Sequence, residues 1–110
     1  MLKREVLRKK EDFNRVYRKG RSLGERYIVL FYRSNGLPYN RTAFLASKKV
    51  GNSVQRNRAK RLMRESWRLL EKDVPTGYDL IIIARNTIKG KSCAQVQESL
   101  ERGLKNAKLR

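Results

Sequence analysis

Residues 48–68 read KKVGNSVQRNRAKRLMRESWR and carry the residue types best suited to binding phosphate. Arginine presents a planar fork of donors that matches two phosphate oxygens at once, and it stays charged at physiological pH. With about 100° between successive residues of a helix, the polar and cationic side chains share one stripe: Asn57, Lys60, Arg61, Arg64 and Arg68, flanked by Arg56 and Arg58. The opposite side is expected to hold Ala59, Leu62, Met63, Ser66, Leu69 and Leu70. Because Glu65 is the only carboxylate in residues 48–70, the pattern predicts a helix whose exposed face binds a polyanion.

Two further features of this stretch support anion binding. Asn57 lies among the cations, and its amide donates and accepts hydrogen bonds, which suits a base edge or a ribose hydroxyl. Asn52 and Ser53 are good helix N-caps, and the helix that they begin exposes backbone N–H groups near Lys48 and Lys49. The alternative is that this basic face is only solvated surface, as isolated basic helices often are.

The residues that usually carry catalysis are missing or scattered. The sequence contains no His, and Cys93 therefore has no imidazole to activate it, so a structural role is expected for the thiol. No pair of carboxylates has the spacing of metal ligands, and those beside helix ends or strand edges, including Asp12 and Asp79, are expected to have capping or surface roles. The chain is therefore predicted to bind nucleic acid with no catalytic residue or metal site of its own.

The charge of the whole chain points in the same direction. Its 110 residues include 28 Lys and Arg against 10 Asp and Glu, a net charge of +18, which indicates nucleic acid or, less often, an anionic membrane surface as the partner. The longest apolar run, residues 80–84, has the length of a strand and cannot span a membrane. A single cysteine excludes an intrachain disulfide and fits a reducing cytosol, so a cytoplasmic location is expected. We predict one domain, residues 1–110, with residues 1–9 as a flexible basic N-terminus.

The elements that must position these residues follow from the hydrophobic pattern. A short amphipathic helix is expected at residues 11–20, the basic helix at residues 53–70, and a last helix after a capping box formed by Ser92 and Gln95. Strands are expected at residues 21–23, 27–32, 41–47 and 78–85. The last strand is the most apolar, so we predict that it is central and parallel to residues 41–47. The element order is αβββαβα, an α+β fold.

The basic stretch also carries a family signature. Lys48-Lys49-Val50-Gly51-Asn52-Ser53, followed by Arg56-Asn57-Arg58-Ala59-Lys60-Arg61, resembles the signature of the protein subunit of bacterial ribonuclease P. The resemblance implies a two-layer α/β sandwich similar to the second domain of ribosomal protein S5, with a left-handed βαβ crossover. Most connections of this kind are right-handed, and nothing in the sequence itself fixes the hand.

The resemblance further implies a division of labour between protein and RNA. In that family the RNA subunit carries the catalytic magnesium ions and cleaves precursor tRNA, while the protein binds the 5′ leader and strengthens substrate and metal binding. The expected partners are the catalytic RNA and the precursor leader, with no membrane and no obligate protein partner. The basic helix, with Lys48 and Lys49, is expected to dock on the RNA. The expected leader cleft consists of Phe13, Tyr17 and Phe31, with Arg8, Lys9 and Lys10 alongside.

Two alternatives stay open at this point. The chain could be a structural ribosomal or general RNA-binding protein with no role in processing, since composition alone does not separate the two. The three aromatic residues could all be core residues rather than a cleft. The family pattern has phenylalanine where this chain has Tyr17, which keeps the stacking face and adds a hydroxyl.

Overall fold

A computed structural model describes residues 5–109 as one four-stranded sheet with three α-helices. The elements, in chain order, are α1 Lys10–Lys19, β1 Arg21–Gly24, β2 Ile28–Ser34, β3 Arg41–Leu45, α2 Ser53–Leu70, β4 Tyr78–Ala84 and α3 Cys93–Asn106. Single 3-10 turns follow α2 and β4 at Glu71–Asp73 and Asn86–Ile88. The predicted order αβββαβα is confirmed, including the short first strand. No described helix combines the length and the apolarity needed to cross a membrane.

The sheet has the strand order β1-β2-β4-β3, with β4 in an interior position. β1 pairs with β2 and β2 with β4 in antiparallel fashion, whereas β3 and β4 are parallel. Leu80, Ile81 and Ile82 of β4 are fully buried, as expected for a strand covered on both faces. The predicted central position of β4 and its parallel pairing with β3 are therefore confirmed. The left-handed crossover stays a prediction.

The larger core lies between the sheet and the two long helices. Ile28 and Leu30 of β2 pack there with Met63 of α2 and with Leu100 and Leu104 of α3, and all five are inaccessible to solvent. The apolar side of α2 differs at two positions from the pattern prediction. Trp67 is buried in this core, whereas Leu69, expected on the apolar side, is exposed. The apolar side therefore continues through Trp67 in the last turn, which is i+4 from Met63.

A smaller core lies on the opposite face of the sheet, under α1. It is formed by Leu7, Val16, Ala43 and Ile81, with Phe13 and Phe31 among the half-buried residues packed against it. α1 ends at Gly20, where an added Cβ would lie 2.4 Å from the Val16 carbonyl oxygen and 2.6 Å from that of Tyr32. The glycine thus allows the chain to leave α1 in close contact with β2.

The segment before α1 runs along the outer edge of β3. The Leu7 N–H donates to the Thr42 carbonyl oxygen at 2.9 Å, and the Thr42 N–H donates to that of Glu5 at 2.8 Å. Part of the expected flexible N-terminus, residues 1–4, lies outside the described residues. Residues 5–7 pair with β3, and Leu7 belongs to the smaller core.

Candidate RNA-binding surfaces

The N-terminus of α2 is fixed by a capping box. The Asn52 side-chain oxygen accepts from the Gln55 N–H, and the Gln55 side-chain oxygen accepts from the Asn52 N–H, both at 2.9 Å. Gly51 precedes the box with φ 144°, a conformation that disfavours any side chain. Lys48 and Lys49 are exposed in the turn before it. The capping box therefore orients the first turn of α2 and leaves both lysines at its positive end.

The basic stripe, defined as Asn57, Lys60, Arg61, Arg64 and Arg68, lies on the solvent side of α2. Four of these residues are exposed, and Lys60 is half-buried. Within residues 5–109 none of the four cations has a carboxylate partner within salt-bridge distance. The structure thus places all five predicted residues on one surface with uncompensated positive charge, which attracts a polyanion.

The two arginines that flank the stripe make contacts within the protein. Arg56 donates to the Ser53 hydroxyl at 3.2 Å. Arg58 donates to the Lys91 carbonyl oxygen at 3.2 Å and so connects α2 to the loop before α3. All of these contacts are exposed, and each guanidinium keeps further N–H donors. Arg56 and Arg58 therefore combine a local structural contact with unused donor capacity.

The aromatic cleft, defined as Phe13, Tyr17 and Phe31, forms where α1 crosses β2. The ring centroids of Phe13 and Tyr17 are 6.4 Å apart, and those of Tyr17 and Phe31 are 5.0 Å apart in a T-shaped arrangement. Phe13 and Phe31 are half-buried against the smaller core, while Tyr17 is 42% exposed. Burial raises the pKa of Tyr17 above its usual value, so its hydroxyl stays protonated at physiological pH. The three rings meet, and Tyr17 is the most accessible of them.

The three basic residues expected beside the cleft surround the start of α1. Lys9 is the N-cap residue and Lys10 the first helical residue, and both are exposed together with Arg8. The Lys9 carbonyl oxygen accepts from the N–H groups of Asp12 and Phe13 at 3.0 and 3.1 Å. These cations are therefore at the end of α1 that carries Phe13.

Sequence reasoning missed a groove of about 860 Å³ along the edge of β3. Leu7 and Phe13 line one part of it, and three arginines of the basic stripe line another, so the groove extends from the stripe to Phe13 of the aromatic cleft. Phe44 also lines the groove, and the guanidinium carbon of Arg64 is 5.8 Å from its ring centroid, within cation–π range. The sequence signal that could have indicated this groove is the alternation of side chains along β3. Ala43 faces the smaller core and Phe44 faces the larger one.

The expected surface roles of Asp12 and Asp79 are wrong. Both are buried, with Asp79 only 4% exposed, and both bind Arg41 of β3. Arg41 donates through Nε and Nη2 to the two Asp79 oxygens at 2.8 and 2.7 Å, and through Nη1 to Asp12 Oδ2 at 3.2 Å. The hydrogen bond to Asp79 raises the pKa of Arg41 above its usual value. Sequence patterns place charges near helix ends but do not show which distant cation satisfies a buried carboxylate.

Comparisons with known proteins match nearly the whole chain to ribonuclease P proteins. The family model described as Ribonuclease P matches residues 1–108. The ribonuclease P protein component of Caldanaerobacter subterraneus subsp. tengcongensis is 44% identical over 103 residues, covering 94% of this chain and 89% of that protein. The solved RNase P protein of Staphylococcus aureus has a TM-score of 0.87 at 37% identity and covers 97% of this chain and 98% of its own. A mutant of that protein, described as having defective mRNA degradation activity, has a TM-score of 0.88 at 36% identity, with coverages of 96% and 90%.

Proposed function

The chain belongs to the ribonuclease P protein family, and on that premise we propose that it binds the catalytic RNA subunit through α2 and the 5′ leader of precursor tRNA through the aromatic cleft. Membership makes the chain an accessory subunit of an endoribonuclease that processes the 5′ end of tRNA. The observation that carries the proposal is the presence of two surfaces on one domain, one cationic and one aromatic, with a groove that runs from the arginines of the stripe to Phe13 of the cleft.

The basic stripe is the surface proposed for the catalytic RNA. Its arginines are exposed and lack carboxylate partners among residues 5–109, so each can neutralise a phosphate without breaking an internal ion pair. Lys48 and Lys49 extend the same charge to the start of α2. The first turn of α2 contains no acidic residue that would repel an anion there.

The aromatic cleft is the surface proposed for the leader. Precursor leaders are single-stranded, and an aromatic face stacks on any unpaired base with little sequence preference. Arg8, Lys9 and Lys10 at the same end of α1 supply charge for the leader's phosphates. The capacity to bind unrelated leaders follows from stacking, because every base has a π-face.

We propose that magnesium is held mainly by the RNA subunit. Among residues 5–109 no group of three or more His, Cys, Asp or Glu side chains is arranged to hold a metal ion, so the described part of the chain does not fit such a role. No step of the reaction is therefore assigned to a metal on this chain. The cytoplasmic location and the absence of an obligate protein partner stay predictions.

Reconstitution with a bacterial ribonuclease P RNA tests the proposal. At low magnesium, where the RNA alone is slow, adding the protein is expected to accelerate cleavage of precursor tRNA at the mature 5′ end. The protein alone is expected to leave the precursor intact, because its sequence has no His and its described carboxylates form no metal site. Failure to stimulate the RNA would favour the structural RNA-binding alternative.

Asn57→Ala tests whether the basic stripe binds RNA through hydrogen bonds of the Asn57 amide as well as through positive charge. The variant removes no charge, so we expect its affinity for the catalytic RNA to fall by about 1–3 kcal/mol, the cost of leaving a buried polar partner unpaired, with little change in salt dependence. Titration of the variant against the RNA at several salt concentrations measures both quantities. Asn106→Ala, at an exposed asparagine of α3, is the control. Wild-type affinity in Asn57→Ala would assign the residue no role in binding.

A second candidate function is degradation of mRNA, favoured by the description of the Staphylococcus aureus mutant. Incubation of the purified protein, free of RNA, with an unstructured mRNA fragment tests this activity. Cleavage that persists through purification and disappears in stripe variants would support this second activity. Cleavage that does not follow the protein through purification would assign it to a contaminant.

A further inference from the structure

The apolar contact that holds α1 on the sheet is small. Val16 is the only apolar residue of α1 that is fully buried, and Phe13 is half-buried beside it. Apolar packing is non-directional, so a contact of this size by itself sets the orientation of the helix on the sheet only weakly. The cleft geometry needs more than this, because the Tyr17 and Phe31 rings belong to different elements and meet edge to face at 5.0 Å.

A cluster of charged residues fixes the orientation of α1 on the sheet. Arg41 is the only residue that forms an ion pair between α1 and the sheet within residues 5–109, through Asp12 at 3.2 Å. Its guanidinium is itself held by the bidentate contact to Asp79, and Asn35 donates to the same carboxylate at 2.9 Å. A planar fork bound on two sides fixes orientation as well as distance. The cluster is largely sheltered, with side-chain exposures of 20% for Arg41, 11% for Asp12 and 5% for Asp79.

Asp12 is well placed to transmit this constraint to the cleft. It precedes Phe13 directly, and Tyr17 follows Phe13 by one helical turn. A shift of α1 would therefore move both rings relative to Phe31. We propose that Asp12 and Arg41 are positioning residues, which hold α1 where the aromatic cleft can accept a leader base. This inference rests on the proposed function of the cleft.

The comparison of Asp12→Ala with Glu11→Ala tests the inference. Each variant removes one acidic side chain from the first turn of α1 and leaves an alanine, so net charge and the loss of a favourable helix-dipole interaction are matched. Asp12→Ala also removes the contact of Asp12 with Arg15 at 3.4 Å, which lies within α1 and does not join the helix to the sheet. Glu11 is exposed, and the hydrogen bonds and ion pairs of Arg41 go to Asp12 and Asp79 instead. Neither variant removes the Arg41–Asp79 pair. Asp12→Asn, which keeps a hydrogen-bond acceptor, is the milder second variant.

Two readouts separate positioning from general stability. In the free protein, NMR cross-relaxation between the Tyr17 and Phe31 rings is expected to weaken in Asp12→Ala and to persist in Glu11→Ala. In the reconstituted enzyme, the ratio of dissociation constants for mature tRNA and leader-bearing precursor is expected to fall roughly tenfold in Asp12→Ala, about the value of one stacked base. Glu11→Ala is expected to keep the wild-type ratio, and Asp12→Asn to give an intermediate one.

The outcomes distinguish this inference from the function on which it rests. A wild-type ratio near one would overturn leader binding by the cleft, and the inference with it. If the wild type has a large ratio of dissociation constants and both Asp12→Ala and Asp12→Asn keep it, the positioning role is overturned while leader binding by the cleft stands. Equal losses in Asp12→Ala and Glu11→Ala would assign the effect to helix charge and also overturn it. If Asp12→Ala does not fold, the ring contact and ratio of Asp12→Asn decide.

Discussion

Replacing Arg61, Arg64 and Arg68 together by methionine is expected to produce the largest loss of affinity for the catalytic RNA. Each neutralised phosphate contributes roughly −0.7 to −0.9 to the slope of log affinity against log salt, so the triple variant should flatten that slope by about two to three units. Methionine keeps the length of the side-chain stem, which limits changes in packing. Binding titrations across a salt series measure the slope, and single variants at Arg61 and Arg64 should each change it by about one unit.

The matched control is a triple methionine variant at Arg102, Lys105 and Lys108 of the C-terminal region. It removes the same charge, but Arg102 already pairs with Glu98 at 2.7 Å and Lys105 with Glu101 at 3.4 Å. We expect the control to retain most of the salt dependence, because those charges are partly compensated within the protein. Equal flattening in both triple variants would mean that total charge, rather than the stripe, determines binding.

Tyr17→Ala is expected to produce the largest loss that is specific for the leader. Removal of one stacking ring should weaken binding of leader-bearing precursor by about 1–3 kcal/mol and leave mature tRNA binding unchanged. Tyr17 is the best probe because its side chain is 42% exposed, so its truncation removes little core packing. Dissociation constants of the reconstituted enzyme for the two RNAs, with melting curves of the free protein, test this.

Tyr17→Phe is the control for the cleft, since it keeps the ring and removes only the hydroxyl. It should retain leader binding, and the melting temperatures of both Tyr17 variants should stay close to the wild-type value. Phe31→Ala is a less selective probe, because Phe31 packs against the smaller core and its loss leaves a cavity there. If Tyr17→Ala weakens binding of both RNAs alike, the cleft assignment is wrong.

The sequence by itself determined the basic helix and most of the sheet. α2 has the predicted bounds, Ser53–Leu70, because Asn52 caps its start and no Gly or Pro interrupts the following residues. The central position of β4 followed from its run of isoleucines, since only a strand covered on both faces can bury them all. The exposure of the stripe also followed, because helical periodicity separates cations from apolar residues. These features depend on neighbours in sequence, so pattern and spacing suffice.

Only the tertiary structure decided which distant residues meet. The contact of Tyr17 with Phe31 depends on where α1 crosses β2, and that crossing involves Arg41 and Asp79 from two other strands. The groove beside Phe44 likewise requires the edge of β3, residues 5–7 and α2 to come together. The burial of Trp67 and the exposure of Leu69 have the same origin, because the neighbouring elements that pack on the last turn of α2 decide which of its residues are buried. Such contacts join residues that are far apart in the chain, and their partners are fixed by packing and charge satisfaction, which no local periodicity encodes.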